Sequence, residues 1–170
     1  MPPVADFRLA QFAADRVDAC GKHIGRHTYW KLYAIENLFR IVVNSVLTAQ
    51  LGPGWWTTAV DPRIQGEAQR SRNRYSARPW HTQPGNHDLY FTNLSELVEI
   101  IRVNSHLIVR VIPDINDWIV KIEHIRLPRN IVGHMNFPTS TDQQRIDVLY
   151  SDCRALVVHL QLRNVVLEIP

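Results

Sequence analysis

Cysteine is scarce in this 170-residue chain: Cys20 and Cys153 are the only two, far apart and in no C-x-x-C or other metal-type spacing. That argues against a disulfide framework or a zinc site and leaves reduced, buried thiols as the expectation. No apolar run reaches the roughly eighteen residues a membrane helix needs. The opening Met1-Pro2-Pro3-Val4-Ala5-Asp6 also lacks the basic stretch and apolar core of a leader peptide. A soluble, cytoplasmic protein without a membrane partner is therefore expected. Repeats and low-complexity tracts are missing, and few segments read as strands, Val165 to Ile169 being the main candidate. Lysine is rare as well. Sixteen of the nineteen Lys and Arg side chains are arginine, the residue suited to bidentate phosphate contact, and the net charge is +3.

What is present is ordinary globular composition, 45% hydrophobic and 21% charged, which places the chain outside the disordered class. Its length suits one domain, residues 1–170, with one core. From Trp30 to Gln50, Leu32, Ile35, Leu38, Phe39, Val42, Val43, Val46 and Leu47 recur mostly at three- and four-residue steps, predicting a helix that Gly52-Pro53 stops. A second helix starts near Asn93, where Asn93-Leu94-Ser95-Glu96 is a variant capping box, and runs to Pro113. A third follows Pro113-Asp114 and is interrupted by Leu127-Pro128, after which a short helix is expected. A long one opens at Thr141-Asp142 and ends near Arg163-Asn164. A peripheral helix is predicted around Phe7 to Val17, confined by Pro2-Pro3 and Gly21. Residues 54–88 have no sustained period, except for a polar helix from Ile64 to Ala77. The expected fold class is all-α, an antiparallel bundle of four to five helices with one long polar insertion.

Chemistry concentrates in Arg126-Leu127-Pro128-Arg129-Asn130-Ile131-Val132-Gly133-His134, where polar residues interrupt an apolar helical region. Arg129 and Asn130 are expected in the first turn after Pro128, where free backbone N–H groups and the helix dipole favour an anion such as phosphate. His134 follows a little over a turn later. Histidine, with an ordinary pKa of about 6.5, suits proton transfer near neutrality. Five positions on a helix separate side chains by about 140°, so Arg129 and His134 converge poorly within one chain. The alternative is structural: Arg129 pairs with an acid such as Glu36 or Glu123, and His134 is a helix-face histidine. Gly133 serves helix packing or a ligand's approach.

Arg129-Asn130-Ile131-Val132-Gly133-His134 reads R-N-x-x-x-H and resembles the R-x(4-6)-H nuclease signature of the HEPN superfamily. The order of surrounding elements resembles its Swt-type branch. Leu32 to Arg40 is similar to that family's first helix, with Glu36 four positions before Arg40, and Asp88-Leu89-Tyr90-Phe91-Thr92 leads into the Asn93 helix as in that branch. The resemblance covers roughly residues 29–160. It implies a helical bundle and a site completed across a homodimer. It also implies metal-independent RNA cleavage by 2′-hydroxyl attack, with Arg129, Asn130 and His134 catalytic and no cofactor. Glu36, Asn37 and Arg40 would support them, or Glu36 and Arg40 form a structural ion pair. Toxin or defence roles, with an antitoxin or regulatory protein as partner, follow from the same resemblance. A non-catalytic RNA-binding or protein-interaction module is the other outcome it allows.

Between Asp61 and Trp80 five arginines face two carboxylates, a local excess of three. Arg70, Arg72, Arg74 and Arg78 are the expected RNA-backbone contacts, with Trp55, Trp56, Tyr75 and Trp80 available for base stacking or for the core. His23 and His27 have helical i,i+4 spacing without an evident third ligand, so no metal is assigned to them or to His87-Asp88.

Overall fold

Apolar side chains at helical spacing on Trp30–Leu51 (α2) meet a matching stripe on Ser140–Leu162 (α9), and this pair organises the core. The structure, a computed structural model, describes residues 6–170. Ile35, Phe39, Val43 and Leu47 of α2 and Ile146, Cys153 and Leu160 of α9 are all buried. Burying side chains of this size stabilises by about 1.5–3 kcal/mol each. Lys31 bonds Asp147, Leu38 and Phe39 lie beside Cys153 and Leu156, and Asn44 reaches Glu168, so the two helices run in the same direction. Leu94–Val103 (α5) and Ile115–His124 (α7) close the other side, with Trp118 of α7 edge-on to Phe39 at 5.8 Å. The all-helical bundle expected from the sequence is what is found, and no strand occurs among the described residues.

Local chemistry explains the helix ends. Asn93 accepts from the Glu96 N–H while the Glu96 carboxylate accepts from the Asn93 N–H, the reciprocal capping box read from the sequence. Thr139 caps α9 through the Asp142 N–H. Asp61 caps the polar helix Pro62–Ser76 (α4), which follows the short Trp55–Ala59 (α3). Asn104 ends α5 early, its side-chain amide donating to the Ile100 and Ala59 carbonyls, and the short Ser105–Ile108 (α6) follows.

Three expectations change. The N-terminal helix is Ala14–Ile24 (α1), not residues 7–17, and it passes through Gly21 into a π-helical turn, Gly25–Tyr29, that joins α2 without a break. Each helical glycine costs only about 0.5–1 kcal/mol, which the packing of Cys20, Thr28 and Leu32 outweighs. The resulting run Ala14–Leu51 is long and apolar enough to cross a membrane, and 56% of its most apolar window is buried in the bundle. Residues 165–169 form no strand, for they have no partner strand. The Glu168 N–H donates to Ser45 Oγ at 2.7 Å and its carbonyl accepts from Asn44 Nδ2, so α2 side chains satisfy this extended tail. Finally, the interruption falls at Ile125, just ahead of Leu127-Pro128, and Pro128 lies in the first turn of the short helix Arg126–Gly133 (α8), where a missing N–H leaves nothing unpaired.

Cys20 and Cys153 are both buried. Burial pushes the Cys153 thiol up to about 12, which suppresses the reactive thiolate.

Candidate functional site

The R-N-x-x-x-H segment occupies α8 and its C-terminal cap. Because α8 begins at Arg126, the Arg129 N–H is already bonded to the Ile125 carbonyl at 2.8 Å, and Asn130 lies in the second turn. The expected anion cradle of free first-turn N–H groups is therefore not built by Arg129 and Asn130. The helix ends in a Schellman arrangement: the Met135 N–H reaches the Val132 carbonyl and the Asn136 N–H the Ile131 carbonyl, with Met135 at φ 60°. A left-handed methionine is strained where glycine is usual. The turn is braced by Asn136, whose side-chain amide donates to the His134 carbonyl and whose side-chain oxygen accepts from Arg8.

Glu36 projects from α2 toward this helix and joins two guanidiniums. Arg129 Nε donates to Glu36 Oε1 at 3.1 Å, and Arg40 Nη2 lies 3.6 Å from Oε2. Arg40 is buried, donates to the Thr92 carbonyl at 3.0 Å and to Asn37 Oδ1 at 3.3 Å, and leaves its Nε without a partner among the described residues. Burial lowers its pKa, with Glu36 opposing the shift. Asn37 is itself held by the Tyr33 carbonyl. Two guanidiniums on one carboxylate leave one surplus positive charge.

That charge borders a cavity of about 260 Å³ walled by Tyr29, Leu32, Tyr33, Glu36, Arg129, Val132, Gly133 and Met135. Arg129 makes no bond other than the one through Nε among the described residues, so Nη1 and Nη2 retain their donors. A Cβ on Gly133 would meet Arg129 Nη1 at 3.5 Å, ordinary contact, so this glycine keeps the guanidinium's flank open rather than avoiding a clash. An apolar cavity of about 330 Å³ shares Tyr29, Val132 and Met135 with it and extends toward Cys20 and Phe137.

Arg129, Glu36, Asn37 and Arg40 are thus brought together by α2 and α8. His134 and Asn130 are not part of that cluster. Both are exposed, their side chains make no hydrogen bond among the described residues, and neither lines the cavity. The sequence reading missed Tyr29 and Tyr33, 55% and 66% exposed at the cavity mouth. Their i,i+4 spacing, followed by Glu36 one turn later, was the available signal.

The arginine-rich stretch divides. Arg70 pairs with Glu67, and Arg72 bonds Asp88 at 2.6 Å and the Asn86 carbonyl at 2.8 Å while its guanidinium covers the Phe91 ring. Arg72 thereby fastens the 3₁₀ turn Asp88–Phe91 to α4. Arg74 and Arg78 have no carboxylate partner among the described residues. Trp55 and Trp56 are buried, packed around His87, whereas Trp80 is 76% exposed. Among the described residues no three His, Cys, Asp or Glu side chains gather as a metal requires, and the His23 and His27 rings are tilted by 38° with centroids 4.6 Å apart. The chain matches no family model, no curated protein and no solved structure.

Proposed function

We propose that this protein is a HEPN-type, metal-independent endoribonuclease whose site combines Arg129, Asn130 and His134. The observation that carries this reading is the state of Arg129: Glu36 holds it by Nε alone, while its two terminal nitrogens stay unbonded beside a cavity with a surplus positive charge. A guanidinium fixed in this way is preorganised for bidentate contact with a phosphate. Glu36, Arg40 and Asn37 are positioning residues.

RNA supplies its own nucleophile. The 2′-hydroxyl gives its proton to His134 and its oxygen attacks the adjacent phosphorus. The bond to the 5′-oxygen then breaks, and that oxygen takes up a proton. The products are a 2′,3′-cyclic phosphate and a 5′-hydroxyl. Proton transfer of this kind contributes about 10²- to 10⁴-fold in rate. Since His134 lies outside the Arg129 cavity, the reading includes a homodimer in which the partner's His134 approaches Arg129. The proposed setting is a cytoplasmic toxin or defence effector under the control of an antitoxin or regulatory protein.

A second reading, a non-catalytic RNA-binding module on the same bundle, draws on the exposed His134 ring, which has no partner among the described residues to orient it. The two separate in one assay. RNA incubated with the protein in EDTA should yield 2′,3′-cyclic phosphate ends, and mixing Arg129→Ala with His134→Ala chains should restore part of the activity. Binding without cleavage selects the second reading, and 5′-phosphate ends contradict the mechanism.

A further inference from the structure

The end of α4 carries a second concave surface, outside the Arg129 cavity. Ser71, Arg74, Tyr75, Arg78 and His81 wall a pocket of about 280 Å³ that contains no carboxylate. The acids nearest in sequence are engaged elsewhere, Glu67 with Arg70 and Asp88 with Arg72. Arg74 and Arg78 therefore keep their full charge toward the pocket. Arg78 is also anchored: its Nη1 donates to the Arg74 carbonyl at 3.0 Å, which leaves Nε and Nη2 available. Gln83 donates to the Tyr75 and His81 carbonyls, closing the segment after the helix back onto its last turn. These bonds satisfy carbonyls that would otherwise present partial negative charge at the helix end. Trp80, 76% exposed, lies next to His81 with ring centroids 6.1 Å apart.

We propose that this pocket binds a backbone phosphate of single-stranded RNA, with Trp80 as the stacking surface for the adjoining base. The inference rests on RNA being the ligand and narrows the contact from four arginines to two and the stacking surface to Trp80, adding Ser71 and His81. The two guanidiniums offer donors only and the Ser71 hydroxyl can donate a further bond, which suits a phosphodiester. An exposed indole beside a cationic pocket is the arrangement by which single strands are held without sequence preference.

The test uses a 2′-O-methyl oligonucleotide, which lacks the free 2′-hydroxyl and cannot be cut, titrated with the full chain at several salt concentrations. Arg74→Gln with Arg78→Gln should weaken binding at least about tenfold and flatten the slope of log K against log salt by about 0.7, the single-strand value for one phosphate. Trp80→Ala should weaken binding about tenfold at every salt concentration and leave the slope unchanged. Arg70→Gln, whose charge Glu67 already offsets, should change affinity less than about threefold.

An unchanged slope and affinity in the double variant overturns the proposal. Should that variant lose its helical circular dichroism, photocrosslinking of a 5-bromouridine, 2′-O-methyl oligonucleotide to the wild type decides. Adducts within residues 71–81 support the pocket, and adducts only elsewhere contradict it. Inorganic phosphate competing as well as the oligonucleotide, per phosphate, would make this a free-phosphate site and also overturn the proposal. Absence of wild-type binding at low salt overturns it even where cleavable RNA is cut, and pocket-dependent binding stands even where no cleavage occurs.

Discussion

At α8, Arg129 and Arg40 converge on the single carboxylate of Glu36, whereas along α4 the carboxylates run out: Arg70 and Arg72 each have one, Arg74 and Arg78 none among the described residues. The first region fixes its guanidiniums and spares two nitrogens of one of them. The second leaves two guanidiniums without a carboxylate at the surface, one of them anchored to a backbone carbonyl. Counting arginines along the chain therefore says little about where an anion binds. What decides is which donors remain after the internal pairing, and that depends on residues as distant in sequence as Glu36 from Arg129.

The strongest way to break this contrast is to remove Glu36. Glu36→Ala leaves the buried Arg40 without its carboxylate and sets two like charges against each other, so stability should fall by about 2–4 kcal/mol in urea unfolding. Arg129→Ala should cost under about 1 kcal/mol, because its side chain is 34% exposed and Arg40 still faces Glu36. Equal costs would mean that Glu36 does not position Arg129 in the manner described.

A somewhat smaller effect is expected in the turn that Arg72 holds to α4. Tyr90, in the turn fastened by Arg72, packs on Gly85 so closely that a Cβ there would lie 2.4 Å from the ring. Gly85→Ala should destabilise by about 1–3 kcal/mol, or about 2–4 °C in Tm per kcal/mol. In a Tyr90→Ala background the same change should be nearly neutral. An equal loss in both backgrounds would remove Tyr90 as the cause.

The smallest effect concerns pH. Burial between Trp55 and Trp56 lowers the His87 pKa, with Asp88 opposing and Arg72 adding to the shift. The unfolded chain then binds a proton more readily than the folded one. The contribution is present above the ordinary imidazole value of about 6.5 and is lost as the pH falls below it. Protonation also conflicts with the bond His87 Nδ1 accepts from the Leu89 N–H. The denaturant midpoint of wild type should therefore drop more than that of His87→Gln between pH 7.5 and 5.5. Parallel curves would contradict this account of His87.

Most of the fold was legible because local rules govern it. The α2 and α9 stripes, the Asn93 capping box and the Gly52-Pro53 stop are all properties of neighbouring residues. Gly21 and Pro128 misled about boundaries because their effect depends on position: a glycine inside a well-packed helix is tolerated, and a proline fits inside a first turn, so the short helix begins two residues before Pro128 rather than after it. Of the candidate site, the sequence reading left the Glu36–Arg129 pair as one of two alternatives, since only tertiary packing brings residues 93 positions apart into contact. The same holds for Arg72, whose Asp88 partner is read only from the folded insertion.

Everything proposed about catalysis converges on His134, an exposed ring without a partner among the described residues. The decisive measurement is RNA cleavage by His134→Ala in EDTA, with binding of an uncleavable oligonucleotide followed in parallel. The account predicts a folded variant that binds as wild type does and cleaves about 10²- to 10⁴-fold more slowly. Cleavage at the wild-type rate, or an unfolded variant, would contradict the catalytic assignment and make His134 a structural residue.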